Sequence, residues 1–433
     1  MQSEIVPRDH YLNLLIGKKW NGRIKVITGI RRCGKSTILR ELFVRHLREC
    51  GVAQEQIIVV ALDEMINSDL QDPVVLAAYL RQRTADSKTE YYVLLDEVQY
   101  ALSDDELRSQ DRPVRLYSVL IEFLNRGNVD LYVTGSNSRL LSTDVSTQFR
   151  GRGDVVKVYP LSFREFFTGY EGDRRDAYEE YLTFGGMPYL LRLNSERDKF
   201  FYLSSLFEEI YFKDIQRRYQ IKYPDVLTEL TNALCSTAGS LTNPSKLTRA
   251  ISSAKHLKLD PQTVSLYLAY LKEAMLFNEA LRYDVKGKQY FSYPNKYYCV
   301  DLGLRNARLN LRQLDPQQLL ENCLYNELLL RGYAVDVGVV ALREVNETGK
   351  TQQKNCEIDF VVNQSNRRYY IQTALNMDAP SKQDQELRPL RAVGDFFRKI
   401  VISPTYGRPW LDEEGICRMG PLEFLLDENS LES

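Results

Sequence analysis

Gly29-Ile30-Arg31-Arg32-Cys33-Gly34-Lys35-Ser36 follows the pattern G-x-x-x-x-G-K-[ST], and its surroundings are those a phosphate-binding loop requires. Ile24-Lys25-Val26-Ile27-Thr28 before it is a short β-rich run. Thr37-Ile38-Leu39-Arg40-Glu41-Leu42-Phe43 after it is apolar at helical spacing. A strand that turns into a helix through glycines aims several backbone N–H groups at one spot, with the positive end of the helix dipole behind them. Gly29, Ile30, Arg31, Arg32, Cys33, Gly34, Lys35, Ser36 and Thr37 are therefore the expected polyphosphate cradle. Lys35 is expected to reach the β- and γ-phosphates, and the Ser36 hydroxyl to complete a Mg2+ shell.

Hydrolysis needs a metal and a base that activates water. Tyr91-Tyr92-Val93-Leu94-Leu95-Asp96-Glu97 reads as a strand buried on both faces that ends in two carboxylates where ligands bind. Asp96 is the candidate Mg2+ ligand and Glu97 the candidate general base. Gln56 to Leu62 reads as a strand between the loop and Asp96; together with Glu97, this insertion marks loop NTPases that hydrolyse ATP with a glutamate. A fourth strand, Val129 to Thr134, runs into Gly135-Ser136-Asn137-Ser138-Arg139. Ser136 and Asn137 are candidates to sense the γ-phosphate, with Asn137 preferred, although such residues also cap loops. Arg150 and Arg152, ahead of a fifth strand at Val155 to Tyr159, are candidates to reach a γ-phosphate in cis or from a neighbouring subunit; a structural ion pair is the alternative. Arg31 and Arg32 sit at variable loop positions, free to face solvent or a partner acid.

The 433 residues are too many for one core, so about two to four domains are expected. A composition of 44% hydrophobic and 27% charged residues with a net charge of -1 is that of a globular protein and does not favour a chain wrapped on nucleic acid. No apolar run is long enough to cross a bilayer, and Met1 to Pro7 lacks the features of a signal peptide. Seven scattered cysteines without a C-x-x-C read as reduced thiols of a cytoplasmic protein, and three histidines make a histidine-rich metal centre unlikely on composition. Cys33 is read as a small filler in preference to a redox switch.

Ile27 to Thr37, Leu95-Asp96-Glu97-Val98-Gln99, Thr134 to Ser138 and Pro160-Leu161-Ser162-Phe163-Arg164-Glu165-Phe166 resemble, in order and spacing, a prokaryotic family of AAA+-type ATPases with a C-terminal domain of unknown function. Gly185-Gly186-Met187-Pro188 and Glu321-Asn322 are similar to that family too. The resemblance implies binding and hydrolysis of ATP with Mg2+, and Arg152 matches the family position better than Arg150.

After Pro160 the pattern turns helical, at Phe163 to Tyr170, Arg175 to Phe184 and Lys199 to Gln220, and reads as a lid. Helices at Val226 to Ala238, Ser245 to Ser253 and Pro261 to Leu276, followed by a hairpin of Glu279 to Tyr283 and Gln289 to Tyr293, read as a winged helix-turn-helix. The outward positions of its third helix, Gln262, Ser265, Ala269 and Lys272, are a poor set for DNA, so a packing module is preferred. Glu321 on a helix, Asp359 in a strand and Gln372 in the next strand resemble the restriction-endonuclease-type fold, where a Glu, an Asp and an E-x-K surround Mg2+. Gln372 and Ala374 stand at the E-x-K positions, so this site is expected to be vestigial, with Lys382 or Glu386 as the route by which the chemistry could have migrated.

The expected architecture is an α/β multidomain chain: a P-loop ATPase core with a parallel sheet (1–160), a helical lid (161–221), a winged helix-turn-helix-like part (222–308) and an inactive nuclease-like α/β domain (309–433). The expected activity is ATP hydrolysis driving a conformational switch. A nucleotide-gated scaffold or DNA-binding regulator is the alternative, and an ATP-dependent nuclease is disfavoured. ATP, an unidentified protein partner and a homo-oligomeric neighbour are the expected contacts.

Overall fold

The apolar run before the loop and two later ones form strands that are covered on both faces. In the computed structural model, which describes residues 5–103, 106, 114–135, 151–256, 258–345 and 351–432, β1 (Ile24–Thr28), β3 (Tyr91–Asp96) and β4 (Val129–Gly135) are buried along their whole length. With β2 (Ile57–Ala61) and β5 (Gly153–Lys157) they make a five-stranded sheet of order β2-β3-β4-β1-β5, parallel throughout. Parallel strands need crossovers that cover the faces, which is why their sequences are almost continuously apolar. β2 intervenes in sequence between the loop and Asp96, yet in space it lies at the sheet edge beyond β3. The strand that separates the loop strand from the acidic strand is β4. Hydrophobicity alone does not distinguish an edge strand from an inserted one when both are apolar.

The first compact unit comprises residues 1–160, 208–221 and 273–275. Its helices are α1 (Asp9–Gly17), α2 (Val44–Glu49), α3 (Pro73–Arg83), α4 (Arg115–Leu124) and α8 (Lys213–Tyr219). A π-helical segment, Thr37–Phe43, joins the loop to α2. Leu76, Leu80, Leu116, Leu120 and Phe123 pack against one face of the sheet.

The second unit comprises residues 161–207, 222–272 and 276–433, so the stretch 161–221 expected as a lid divides at Phe207. α5 (Phe163–Thr168) opens with a reciprocal cap between Ser162 and Glu165, and α6 (Arg174–Phe184) is capped by Asp173. α7 (Glu196–Ser205) continues through a second π-helical segment, Leu206–Phe212. α9 (Pro224–Ser236), α10 (Pro244–Lys255) and α11 (Pro261–Glu273) follow, the last with the Asp260 side chain accepting from the Gln262 N–H at 2.9 Å. α12 (Leu302–Arg308) is capped by Asp301, whose other oxygen accepts from the Gly186 N–H at 2.8 Å. Gly303 is required there: a Cβ would lie 1.7 Å from the Phe184 carbonyl oxygen. Burial raises the Asp301 carboxyl to about 6, against the pull of the backbone N–H groups that it accepts from.

The hairpin expected as a wing, β6 (Phe277–Asp284) and β7 (Gln289–Cys299), is the edge of a larger sheet. β6 runs parallel to β8 (Ala334–Val345) with Arg282 opposite Val337. With β9 (Thr351–Gln364), β10 (Arg367–Thr373), β11 (Arg398–Ile402), β12 (Trp410–Leu411) and β13 (Cys417–Met419), the eight strands have the order β12-β13-β11-β10-β9-β8-β6-β7. α13 (Pro316–Leu330) and α14 (Pro380–Arg391) pack on this sheet, and α15 (Pro421–Leu426) packs on α13.

A polar cluster interrupts the core of the first unit. Lys25 of β1 and Asp130 of β4, both buried, form an ion pair; Asp130 also accepts from the Tyr132 hydroxyl at 2.8 Å and the Trp20 N–H at 3.1 Å. Burial pulls the Lys25 ammonium below its ordinary value while Asp130 pushes it back up. Removing one partner strands a buried charge. Asp130→Ala is therefore expected to lower unfolding stability by about 3–5 kcal/mol. The double change Lys25→Met with Asp130→Ala, measured by denaturant unfolding, is expected to recover part of that loss.

Candidate functional site

The loop takes its shape from three residues in the left-handed region, Gly29 (φ 155), Arg32 (φ 64) and Gly34 (φ 102). Such turns curl backbone N–H groups into an anion-binding concavity. Gly29 is also needed for a close approach, since a Cβ would lie 2.2 Å from the Val158 carbonyl oxygen. Cys33 is fully buried with its Sγ 3.6 Å from the same oxygen, and burial raises its thiol; it fills space, as expected, and all seven cysteines are free. Ile30 is buried, and Arg31 finds an acid in Asp214 of α8, 3.5 Å away. Arg8, which no motif singled out, braces the loop: it donates to the Cys33 carbonyl at 3.0 Å and the Tyr159 carbonyl at 2.9 Å.

Lys35, Ser36, Asp96 and Glu97 come together at the carboxyl edge of the parallel sheet. The Lys35 ammonium donates to the Gly29 and Ile30 carbonyls at 3.2 and 3.1 Å and lies 3.7 Å from Glu97 Oε1. Ser36 hydrogen-bonds Asp96, which is 1% exposed. Burial raises the Asp96 carboxyl, and the hydroxyls of Thr134 and Ser36 oppose that rise. Arg40, on the π-helical segment, lies 3.6 Å from Asp96 Oδ2 and pairs with Glu64 at 2.7 Å. A hydroxyl beside a buried carboxylate is a donor set that suits Mg2+, which keeps several of its waters and takes few protein ligands. Ser36 and Asp96 therefore fit the metal expected of them.

Thr134 was missed. Its Oγ1 donates to Asp96 Oδ1 at 2.5 Å and accepts from the Glu97 N–H at 2.9 Å, so one hydroxyl at the end of β4 holds both acidic residues. Glu97 is itself in the left-handed region (φ 53), and its carboxylate also contacts Gln99. The signal was a hydroxyl residue ending the strand next to the acidic one; the sequence reading looked two and three residues further on. Ser136, Asn137, Arg139 and Arg150 lie outside the described residues.

Arg152 is not brought to the loop within this chain. Its carbonyl accepts from the Ile24 N–H, and its guanidinium donates to Asn125 at 2.8 Å, at the end of the sheet where β1 begins. Gly29 lies five residues along β1 from Ile24, roughly 15 Å at the usual rise of a strand. The expectation of action in cis is corrected by this register, which pairs Ile24 with Gly153 and Thr28 with Lys157.

In the second unit, Glu321 of α13 lies within electrostatic reach of Asp359 of β9, and Gln372 of β10 accepts from the Asp359 N–H at 3.4 Å. Asp359 Oδ2 accepts from both the backbone N–H and the hydroxyl of Thr373 at 2.7 Å, and burial beside Glu321 raises its carboxyl to about 7. Gln372 donates to Glu386 of α14 at 3.0 Å, and Glu386 pairs with Lys382 at 3.1 Å, so these two helix residues reach the rim through Gln372. Among the described residues, no group of three or more His, Cys, Asp or Glu is arranged to hold a metal ion, and no helix is long and apolar enough to cross a membrane.

Comparison with known proteins agrees with the loop geometry. A model of an AAA domain matches residues 21–167, and a domain of unknown function (DUF8612) matches residues 175–315. The AAA match points, at family level, to ATP binding and ATPase activity. Among solved structures, Aeropyrum pernix ORC1 in complex with DNA shares 13% identity over 72% of this chain and 94% of its own (TM-score 0.29). The Bacillus subtilis DNA clamp loader delta protein shares 13% over 75% and 99% (TM-score 0.27). Similarity this low carries no weight for fold or function. An uncharacterized Methanocaldococcus jannaschii protein is 24% identical over 91% of this chain and 83% of its own. An uncharacterized Haemophilus influenzae protein is 31% identical over 94% of this chain and 95% of its own. The loop from Gly29 to Ser36 and the strand ending in Asp96 fall within the residues that the AAA domain model matches, and at 31% identity over nearly the full length of both, the chain belongs to one family with the Haemophilus influenzae protein.

Proposed function

We propose that the protein is a Mg2+-dependent ATPase whose turnover drives a conformational change in its C-terminal half. The observation that carries this reading is the meeting of Lys35, Ser36, Asp96 and Glu97 at one sheet edge, with Thr134 holding both acids. Residues 29–37 bind the polyphosphate, and Lys35 exchanges its loop carbonyls for phosphate oxygens. Ser36 and Asp96 hold Mg2+, which neutralises phosphate charge when bound. Glu97 accepts the proton of the attacking water, and Thr134 keeps it in position. Asn137 is assigned to sensing the γ-phosphate. Arg152 is assigned to a neighbouring copy's nucleotide, since its place in the sheet excludes its own.

The order α9, α10 and α11, with the Thr242–Asn295 bridge, supports reading residues 222–308 as a winged-helix module whose hairpin is built into the C-terminal sheet. Its role here is packing. Lys272, the one cation among the four positions expected to face DNA, is paired with Glu279 at 2.5 Å. Residues 309–433 are read as a nuclease-like domain without nuclease chemistry, because Gln372 and Ala374 supply neither the carboxylate nor the cation of an E-x-K.

Glu97→Gln is expected to lower the rate of ATP hydrolysis by roughly 100- to 10,000-fold while nucleotide binding persists. A wild-type chain no faster than this variant would mean that the protein is a nucleotide-gated scaffold. Thr134→Val, which removes only the hydroxyl, is expected to cost about 10- to 100-fold in kcat with little change in ATP affinity; equal kcat would remove Thr134 from the site. Incubated with Mg2+ or Mn2+, supercoiled plasmid is expected to stay intact, and cleavage that Asp359→Asn abolishes would overturn the silent reading.

A further inference from the structure

The acids of the second unit are not merely left over. Lys296, a residue of β7 with a side chain only 3% exposed, reaches between them: its ammonium lies 2.7 Å from Glu321 Oε1 and 2.7 Å from Glu357 Oε1. The Tyr298 hydroxyl, from the same strand, donates to the same Glu321 oxygen at 2.5 Å. Asp359 lies within electrostatic reach of both Lys296 and Glu321, and its Oδ2 is taken up by Thr373. The cluster thus has three carboxylates from a helix and a strand, one central cation and no exposed face for Lys296.

We infer that Lys296 is the resident cation of this cluster, standing in for a divalent ion beside Glu321, Glu357 and Asp359, which with Lys296 in place are not arranged to hold one. The native chain accordingly takes up no metal there, and loss of the ammonium opens the site to one. This rests on the reading of residues 309–433 as a nuclease-like domain that has lost its chemistry, and it supplies the reason the acids persist. Two buried carboxylates, Glu321 and Asp359, with the partly exposed Glu357 beside them, would repel one another without a cation, so something positive must sit among them. A divalent ion with oxygen ligands is one solution. An ammonium delivered by a neighbouring strand is another, and it needs neither metal supply nor room for coordinated water. The donor hairpin and β9, which carries Glu357 and Asp359, belong to one sheet, and α13 with Glu321 packs on it, which brings these groups together although they are far apart in the chain.

The test is Mn2+ binding and thermal unfolding of the full-length chain, with Mn2+ as the probe. The native chain and Asp359→Asn are expected to bind Mn2+ alike. Lys296→Met is expected to lose about 5–15 °C in Tm without metal. It is also expected to gain Mn2+ binding that a second change, Asp359→Asn, removes, with Tm partly restored at millimolar Mn2+. Native Mn2+ binding that Asp359→Asn abolishes would overturn the inference, and this comparison stands even if Lys296→Met fails to fold. A folded Lys296→Met chain that takes up no more Mn2+ than the native one would overturn it too. The two readings fail differently: plasmid cleavage removes the silent nuclease-like reading, whereas native Mn2+ uptake that Asp359→Asn abolishes, without cleavage, removes only the assignment of Lys296.

Discussion

The register of β4 is the constraint on which the site depends. β4 pairs with β1 on one side, Thr134 opposite Ile27, and with β3 on the other, Val133 opposite Leu95. That double pairing sets the Thr134 hydroxyl against Asp96 and the Glu97 N–H, while the loop emerges from β1 one strand away. A slip of one residue would turn Thr134 to the other face of the sheet and leave the buried Asp96 carboxylate without one of its two hydroxyl donors. Full burial of β1, β3 and β4 specifies the register, so the energetics of the core and the geometry of the site are one problem.

Both units place a lysine among carboxylates in a buried position. Lys25 with Asp130 ties β1 to β4, and Lys296 with Glu321 and Glu357 ties β7 to α13 and β9. Such pairs add little net stability over an apolar core, because the cost of desolvating the charges offsets their attraction. They do penalise every arrangement in which the partners fail to meet. In the first unit this holds the loop strand and its neighbour in register; in the second it ties the edge hairpin to α13 and β9.

Much of the candidate site was legible. The loop from Gly29 to Ser36 and the strand ending in Asp96 and Glu97 carry their chemistry in consecutive residues, and local conformation makes such motifs readable. Helices α9 to α11 were legible for the same reason, through apolar spacing and the Asp260-Pro261 start. Thr134, Arg8 and Lys296 were not, because each acts on residues distant in the chain. Arg152 shows the converse: its position near a strand was correctly read, but which end of the sheet it occupies depends on a parallel pairing that no local pattern states.

The sequence by itself determined the glycine-rich loop, the acidic strand and the absence of an E-x-K, since each depends on residue type at fixed spacing. Tertiary structure alone decided that β4 lies between β1 and β3, that the hairpin of residues 277–299 joins the C-terminal sheet, and that Lys296 sits among the acids. The physical reason is that side-chain chemistry is local whereas strand order is not. Apolar strands are interchangeable by composition, and only the burial of both faces, the crossovers and the pairing of buried charges select which strands become neighbours.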